Sequence, residues 1–363
     1  MLQVQAARIR RFRDALDELG YDALQRSLRG GFPKVPFPPY AEFSATLRRL
    51  PERQRTWFRL VLLGRRLPRR DVEAALGARL VDDLLELGVL HQRQGTLDTG
   101  GLALVSYRDR YLLASLDATY PTSRDRRLPL YVGPSSYRLA DALPLGRKFG
   151  TVLDLCAGPG LLGIVLAAAA ERVVLAELRP EAVAAARFNV ALNGLEDKID
   201  VVESDLYAGV GRRRFDLIAA NPPFVAAPAG ARGSVYADGG PDGMTLVGPL
   251  VAGLPDRLRA TGWGLLYLEG PGDRERPFFA ARLADVIGRR LGVELLLLER
   301  TTIAAVLGQV REVDRTLRRR PPRAPRLRQL YREQGASHYH CLLARFRRGP
   351  GGVEVTDGVP RGR

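Results

Sequence analysis

The run Thr151-Val152-Leu153-Asp154-Leu155-Cys156-Ala157-Gly158-Pro159-Gly160 limits the fold more than any other stretch. Five apolar residues, interrupted only by Asp154, pass into a glycine turn, and a second apolar run follows at 161–170. That is the pattern of a buried strand, a tight turn and a helix. The alternation then repeats. Strands are expected at 151–155, 173–177, 199–203, 217–220, 264–269, 293–299 and 338–346. Helices are expected between them at 161–170, 180–193, 244–260, 274–291 and 304–318. Such alternation builds a parallel α/β sheet covered by helices.

The region before it is different. Residues 6–29 read as one amphipathic helix with Ile9, Phe12, Leu16, Leu19, Ala23 and Leu24 on its apolar face. A proline-rich connector at 32–40 and a short helix at 41–50 follow. Residues 51–107 have the cadence of a winged helix, with helices at 57–63, 69–76 and 78–87 and a wing pairing 89–92 with 102–107. Asp82, Asp83 and Glu86 on the third helix would repel a phosphate backbone, so a gating, dimerising or structural role is favoured over groove binding. The expected division is 1–107 helical and winged-helix-like, 108–130 a polar linker, 131–348 the α/β domain, and 349–363 a flexible tail. The Arg/Pro-rich segment 318–328 reads as a solvated loop.

The formal charge of +16 suggests a polyanionic partner, but of 56 basic residues only Lys34, Lys148 and Lys198 are lysines. That arginine excess is equally what a GC-rich genome imposes. Two cysteines, Cys156 and Cys341, and three histidines give no disulfide framework and no zinc site. His338 and His340 share one face of a strand and are read as sheet-face residues. No apolar run approaches the ~20 residues of a membrane span. The N-terminus lacks an apolar signal core, so a cytoplasmic protein is expected.

Gly158, Gly160 and Gly163 match G-x-G-x-x-G, a spacing shared by many nucleotide sites, including dinucleotide-dependent oxidoreductases. Acids at three successive strand ends separate the possibilities. Asp154 precedes the turn, Glu177 is placed to accept ribose hydroxyls, and Asp205 follows the third strand. They suit a cationic, phosphate-free nucleoside better than a pyrophosphate, and S-adenosylmethionine is such a ligand.

The stretch Asp154-Leu155-Cys156-Ala157-Gly158-Pro159-Gly160 resembles motif I of class I S-adenosylmethionine-dependent methyltransferases. Leu175-Ala176-Glu177-Leu178-Arg179-Pro180 resembles their acidic second motif, and Glu203-Ser204-Asp205-Leu206 the third. Asn221-Pro222-Pro223-Phe224 resembles the fourth motif of the amino-methyltransferase branch, which includes release-factor glutamine and ribosomal-RNA guanine-N2 methyltransferases. The resemblance implies a Rossmann-like seven-stranded sheet with an antiparallel last strand. It implies that S-adenosylmethionine lies against Asp154, Cys156, Ala157, Gly158, Gly160, Glu177, Leu178, Asp205, Leu206 and Asn221. Glu177 would hold the ribose and Asp205 the adenine.

For the reaction, Asn221 and Pro222 offer two carbonyl oxygens to the two N–H bonds of a planar NH2 group. Pro222 and Pro223 stiffen that backbone, and Phe224 offers a flat wall. Tyr236, Asp238, Gly239 and Gly240 are read as a flexible wall beside the substrate. The expected activity is N-methylation of an amide or exocyclic amino nitrogen, on RNA or on a protein glutamine. A small-molecule acceptor stands as an alternative. A dinucleotide-dependent oxidoreductase and a ligand-sensing winged-helix regulator are the readings from other classes.

Overall fold

A computed structural model describes residues 2–29, 47–115, 130–225, 239–240, 242–316, 322 and 324–358. The expectations for the connector at 32–40, for most of the helix at 41–50, and for Tyr236 and Asp238 lie outside the described residues. The chain divides into two compact units, Met1–Asp141 with Ala157–Glu203, and Ala142–Cys156 with Ser204–Arg363. Among the described residues no helix is long and apolar enough to cross a membrane.

The chain begins with α1 (Ala6–Leu19) and α2 (Tyr21–Arg29), two helices in place of the single one expected. Gly20, at φ 64°, ends α1 in the left-handed conformation that closes a helix. The apolar face therefore resets. Ile9, Phe12, Leu16 and Leu19 are buried as expected, but beyond Gly20 the buried residues are Tyr21, Asp22 and Gln25, and Ala23 is exposed. Next come α3 (Glu52–Trp57), which continues as a π-helical turn over Phe58–Leu62, then β1 (Leu67–Pro68), α4 (Arg69–Leu76) and α5 (Ala78–Glu86).

Two hairpins replace the single wing expected at 89–107. In the first, β2 (His91–Arg93) pairs with β3 (Thr96–Asp98), and β3 also pairs with β1. In the second, β4 (Leu102–Tyr107) pairs with β5 (Arg110–Ser115), so part of the expected polar linker is a strand buried over most of its length. Each turn places two residues at positive φ, Gln94 and Gly95 in one, Arg108 and Asp109 in the other. That is the two-residue hairpin geometry matching strand twist.

The acids of α5 are not a repelling face. Asp83 is buried, accepting from Arg8 at 2.5 Å and Arg11 at 2.7 Å, and these guanidiniums hold its carboxyl below the usual range. Asp82 pairs with Arg69 at 2.7 Å. Of the three acids, only Glu86 stays outside these pairs.

The α/β part runs α6 (Pro134–Asp141), β6 (Phe149–Leu155), α7 (Leu161–Leu166), β7 (Ala170–Glu177), α8 (Pro180–Leu192), β8 (Ile199–Glu203) and β9 (Phe215–Ala220). It continues with α9 (Val247–Arg257), β10 (Leu258–Gly272), α10 (Phe279–Ile287), β11 (Leu291–Thr302), α11 (Ile303–Thr316), α12 (Ala324–Glu333), β12 (His338–Arg348) and β13 (Val353–Asp357). All seven expected strands form. α12 occupies part of the segment expected to be a solvated loop, and β13 occupies part of the expected flexible tail.

In the first unit β7 and β8 are parallel, with Val173 opposite Ile199 and Glu177 opposite Glu203. Two asparagines four residues apart, Asn189 in the last turn of α8 and Asn193 at its C-cap, bind β5. Asn193 exchanges hydrogen bonds with the Tyr111 backbone at 3.0 and 2.7 Å, and Asn189 does the same with Leu113 at 2.8 and 3.1 Å. A four-residue helical step rises ~6 Å and a two-residue strand step ~6.8 Å, so the two amides meet alternate strand residues as a neighbouring strand would.

In the second unit the order is β13-β11-β12-β10-β9-β6. β6, β9 and β10 are parallel, and β12 is antiparallel to both β10 and β11, the arrangement expected of the last strand. β13 adds an edge strand parallel to β11.

Candidate active site

Within the first unit, the glycine turn and the acid that follows it are joined. Gly158 and Gly160 have φ of 54° and 93°. A Cβ on Gly160 would stand 2.9 Å from Leu175 Cδ1, so only glycine leaves β7 undisturbed there. The Ala157 N–H donates to Ala176 O at 3.1 Å, pinning the turn to the end of β7. Glu177 is 9% exposed; its Oε2 accepts from Gly158 N–H and its Oε1 from Arg179 N–H, both at 2.9 Å. Each carboxylate oxygen keeps a further lone pair for a hydroxyl donor. Leu178, next in sequence, is 56% exposed. Behind the turn, buried Asn189 donates to Pro159 O at 2.9 Å, a support that the motif reading missed.

Within the second unit, the register sets Asp154 opposite Ala219 and Leu155 opposite Ala220. Asp154 and Asn221 thus stand at the C-terminal ends of adjacent strands, where open α/β sheets bind ligands. Asp154 is fully buried. Cys156 and Leu206 both take positive φ, 59° and 46°, an unfavourable state for side chains of this kind. At Leu206 the turn is held by Ser204, whose hydroxyl donates to Leu206 O at 2.6 Å and accepts from Gly209 N–H at 2.8 Å. Asp205, between them, is exposed. Tyr207 donates to Leu250 O at 2.8 Å, and burial pushes its phenol up.

Past β9, Pro222 and Phe224 are buried while Asn221 and Pro223 are half-buried. The Phe224 ring packs 5.7 Å from Tyr267 at 55°. The Gly239 N–H donates to Val225 O at 2.9 Å, and a Cβ on Gly239 would stand 2.7 Å from the Phe224 carbonyl carbon. Tyr267 donates to Glu269 Oε1 at 2.6 Å. Burial first, and then the Glu269 carboxylate, push the Tyr339 phenol well up. Tyr267, which packs on Phe224, and Glu269, which it bonds, were not singled out by sequence.

His340 is buried and its Nε2 donates to Asp273 O at 2.9 Å, while His338 Nδ1 lies 2.9 Å from Ser337 Oγ. Among the described residues no group of His, Cys, Asp and Glu is placed to hold a metal ion.

The profile of the methyltransferase small domain matches residues 132–234. The chain is 30% identical over 253 residues to the ribosomal protein uL3 glutamine methyltransferase of Bordetella pertussis, covering 62% of this chain and 78% of that protein. This chain is a class I S-adenosylmethionine-dependent methyltransferase. It belongs to the branch carrying the Asn-Pro-Pro-aromatic motif. It is also 39% identical over 142 residues to the release factor glutamine methyltransferase of Deinococcus radiodurans, covering 36% of this chain and 49% of that one. Over 77 residues it is 40% identical to ribosomal RNA small subunit methyltransferase C of Sodalis glossinidius, covering 21% of each. A bare glycine turn and a carboxylate fixed by two backbone N–H groups fit the methyltransferase cofactor, a cation without phosphate.

Proposed function

We propose that this methyltransferase modifies the side-chain amide of a protein glutamine in the translation apparatus, with residues 221–224 as the acceptor slot. The observation that carries the reading is the extent of the likeness. It runs through 253 residues for a ribosomal protein glutamine methyltransferase and 77 for a ribosomal RNA enzyme.

S-Adenosylmethionine supplies a methyl group on a positively charged sulfur, an excellent leaving group, so no strong base is needed. The residues of the chain have the task of orientation. An amide nitrogen is a poor nucleophile because its lone pair is delocalised into the carbonyl. Asn221 Oδ1 and Pro222 O each accept one N–H of the amide, which fixes the NH2 group and turns lone-pair density towards the methyl carbon. The consecutive prolines keep those acceptors in place without reorganisation. Phe224, backed by Tyr267, supplies a flat wall that stops the amide rotating away. Holding the nitrogen at near-attack distance is the main source of acceleration. As the nitrogen gains the methyl group it becomes cationic and acidic, and one of its protons passes to water. Within the first unit, Glu177 would accept the ribose hydroxyls of the cofactor.

A second reading, methylation of a guanine amino group in ribosomal RNA, is supported by Phe at position 224 and by the ribosomal RNA relative. Tritiated methyl transfer to isolated ribosomal proteins, release factors and ribosomal RNA distinguishes them. Label in the protein fraction alone supports glutamine; label in RNA alone overturns it. A cytoplasmic location accords with either acceptor.

A further inference from the structure

The second unit holds a cleft of about 390 Å³ lined by three arginines, Arg274, Arg276 and Arg300, two acids, Glu275 and Asp357, and the apolar Leu297 and Val355. Its place in the sheet is informative. β9, β10 and β11 run in one direction, because β10 is parallel to β9 and both β10 and β11 are antiparallel to β12. Arg300 lies near the C-terminal end of β11, and Arg274 and Arg276 follow the C-terminal end of β10. They therefore share an edge with residues 221–224, which follow β9. Three strand spacings separate β9 from β11, roughly 14 Å. The other basic cleft of this unit, around Arg345, Arg347 and Arg348, lies at the opposite edge, beside the start of β11.

The cleft is built. The Asp273 carboxylate accepts the N–H groups of Glu275 at 2.7 Å and Arg276 at 2.8 Å, fixing the turn that carries the two arginines. Asp273 O is held from below by buried His340 at 2.9 Å. Gly272 gives that turn no room to relax, since a Cβ there would lie 2.0 Å from Arg276 O. Arg300 is directly opposite His340 in the β11–β12 register. Its Nε is buried without a hydrogen-bond acceptor, and its Nη2 forms a long ion pair with Asp357 at 3.9 Å. A buried guanidinium N–H lacking an acceptor is costly, and planar guanidinium groups match phosphate oxygens two at a time.

We propose that the Arg274–Arg276–Arg300 cleft binds a backbone phosphate of RNA presented along the catalytic edge. The RNA is either the acceptor itself or the ribosomal RNA beside an acceptor protein. The inference does not depend on which nitrogen is methylated.

The test is fluorescence anisotropy of a labelled single-stranded RNA of about 12 nucleotides, titrated at several salt concentrations. It compares the wild type, Arg300→Gln and the exposed double variant Arg274→Gln/Arg276→Gln. Each variant is expected to weaken binding roughly fivefold or more at low salt, and to lower the log–log salt slope by about 0.7 for each phosphate no longer neutralised. S-Adenosylmethionine affinity, measured by calorimetry on the same samples, is expected to stay unchanged. That controls for folding, and a failure of the methyltransferase reading would show as absent cofactor binding instead. Equal RNA affinity and slope in all three proteins overturns the proposal. So does binding of inorganic phosphate without RNA, or equally good competition by a poly-glutamate peptide.

Discussion

The backbone N–H of Gly158 points at Glu177 Oε2 from 2.9 Å, joining the glycine turn to the acid at the end of the next strand. Motifs separated by 19 residues in sequence are thus one hydrogen-bonded unit. Beyond the ribose contact proposed for it, the carboxylate also holds the turn. Glu177→Gln keeps the size but presents an amide NH2 to one of two N–H donors. Affinity for S-adenosylmethionine is expected to fall about 10- to 100-fold, the scale of one charge-assisted hydrogen bond. Calorimetric titration reads this, and an unchanged affinity contradicts the clamp.

The two glycines of the turn differ in their surroundings. A Cβ at Gly158 meets only Tyr131 O at 3.8 Å, whereas one at Gly160 meets Leu175 at 2.9 Å. Both substitutions place alanine at positive φ, which costs about 1–2 kcal/mol. Gly160→Ala adds a clash with the core and is expected to lower the melting temperature more than Gly158→Ala. The reverse order would contradict the packing described.

Asn189→Ala strips partners from the Leu113 N–H, Leu113 C=O and Pro159 C=O at once. The expected reduction in stability is about 2–4 kcal/mol, with each buried group left unpaired costing about 1–3 kcal/mol and some relaxation. Chemical denaturation measures it. Asn189→Asp keeps the acceptor and removes both donated bonds, so it should be destabilising as well.

How much of this was legible follows from where the information lies. The α/β alternation was readable because β6, β7 and β9 are apolar runs buried over most of their length, separated by turn residues. The wing was misread because Arg108 and Asp109 form a tight turn at positive φ without glycine or asparagine to mark it. β13 was missed because a glycine-rich lead-in hides a short edge strand. Asp83 looked like a surface acid because its partners, Arg8 and Arg11, lie 75 and 72 positions away. Tyr267, Glu269, Asn189 and the arginine cleft did not stand out, since their roles come from register and packing, which no local pattern encodes.

Burial holds the His340 imidazole below its ordinary value of 6.5, with Arg300 and His338 adding to the effect and the bond to Asp273 O opposing it. A depressed value in the folded state means that the unfolded chain binds the proton more readily. The stability contributed is therefore complete above about pH 6.5 and is lost as the pH falls towards the lowered folded value. Melting temperatures between about pH 8 and pH 5 should fall more steeply for the wild type than for His340→Gln. Parallel curves would contradict this.

The acceptor slot makes a separable claim. Asn221→Ala is expected to reduce kcat by roughly 100-fold or more, as removing a preorganised polar group does, with cofactor affinity measured separately by calorimetry. Phe224→Ala should act mainly on KM for the acceptor. Methylation unchanged in Asn221→Ala, with the fold intact, would remove the slot from the mechanism.

In the proposed mechanism, residues 221–224 direct a methyl group onto a glutamine amide nitrogen. The most direct test is mass spectrometry of the acceptor after labelling with isotopic S-adenosylmethionine, with the site read by fragmentation. The account requires the label on the side-chain nitrogen of a glutamine in a ribosomal protein or release factor, absent with Asn221→Ala. Label on the amino group of a guanine nucleotide, or on no acceptor while the cofactor binds, would contradict it.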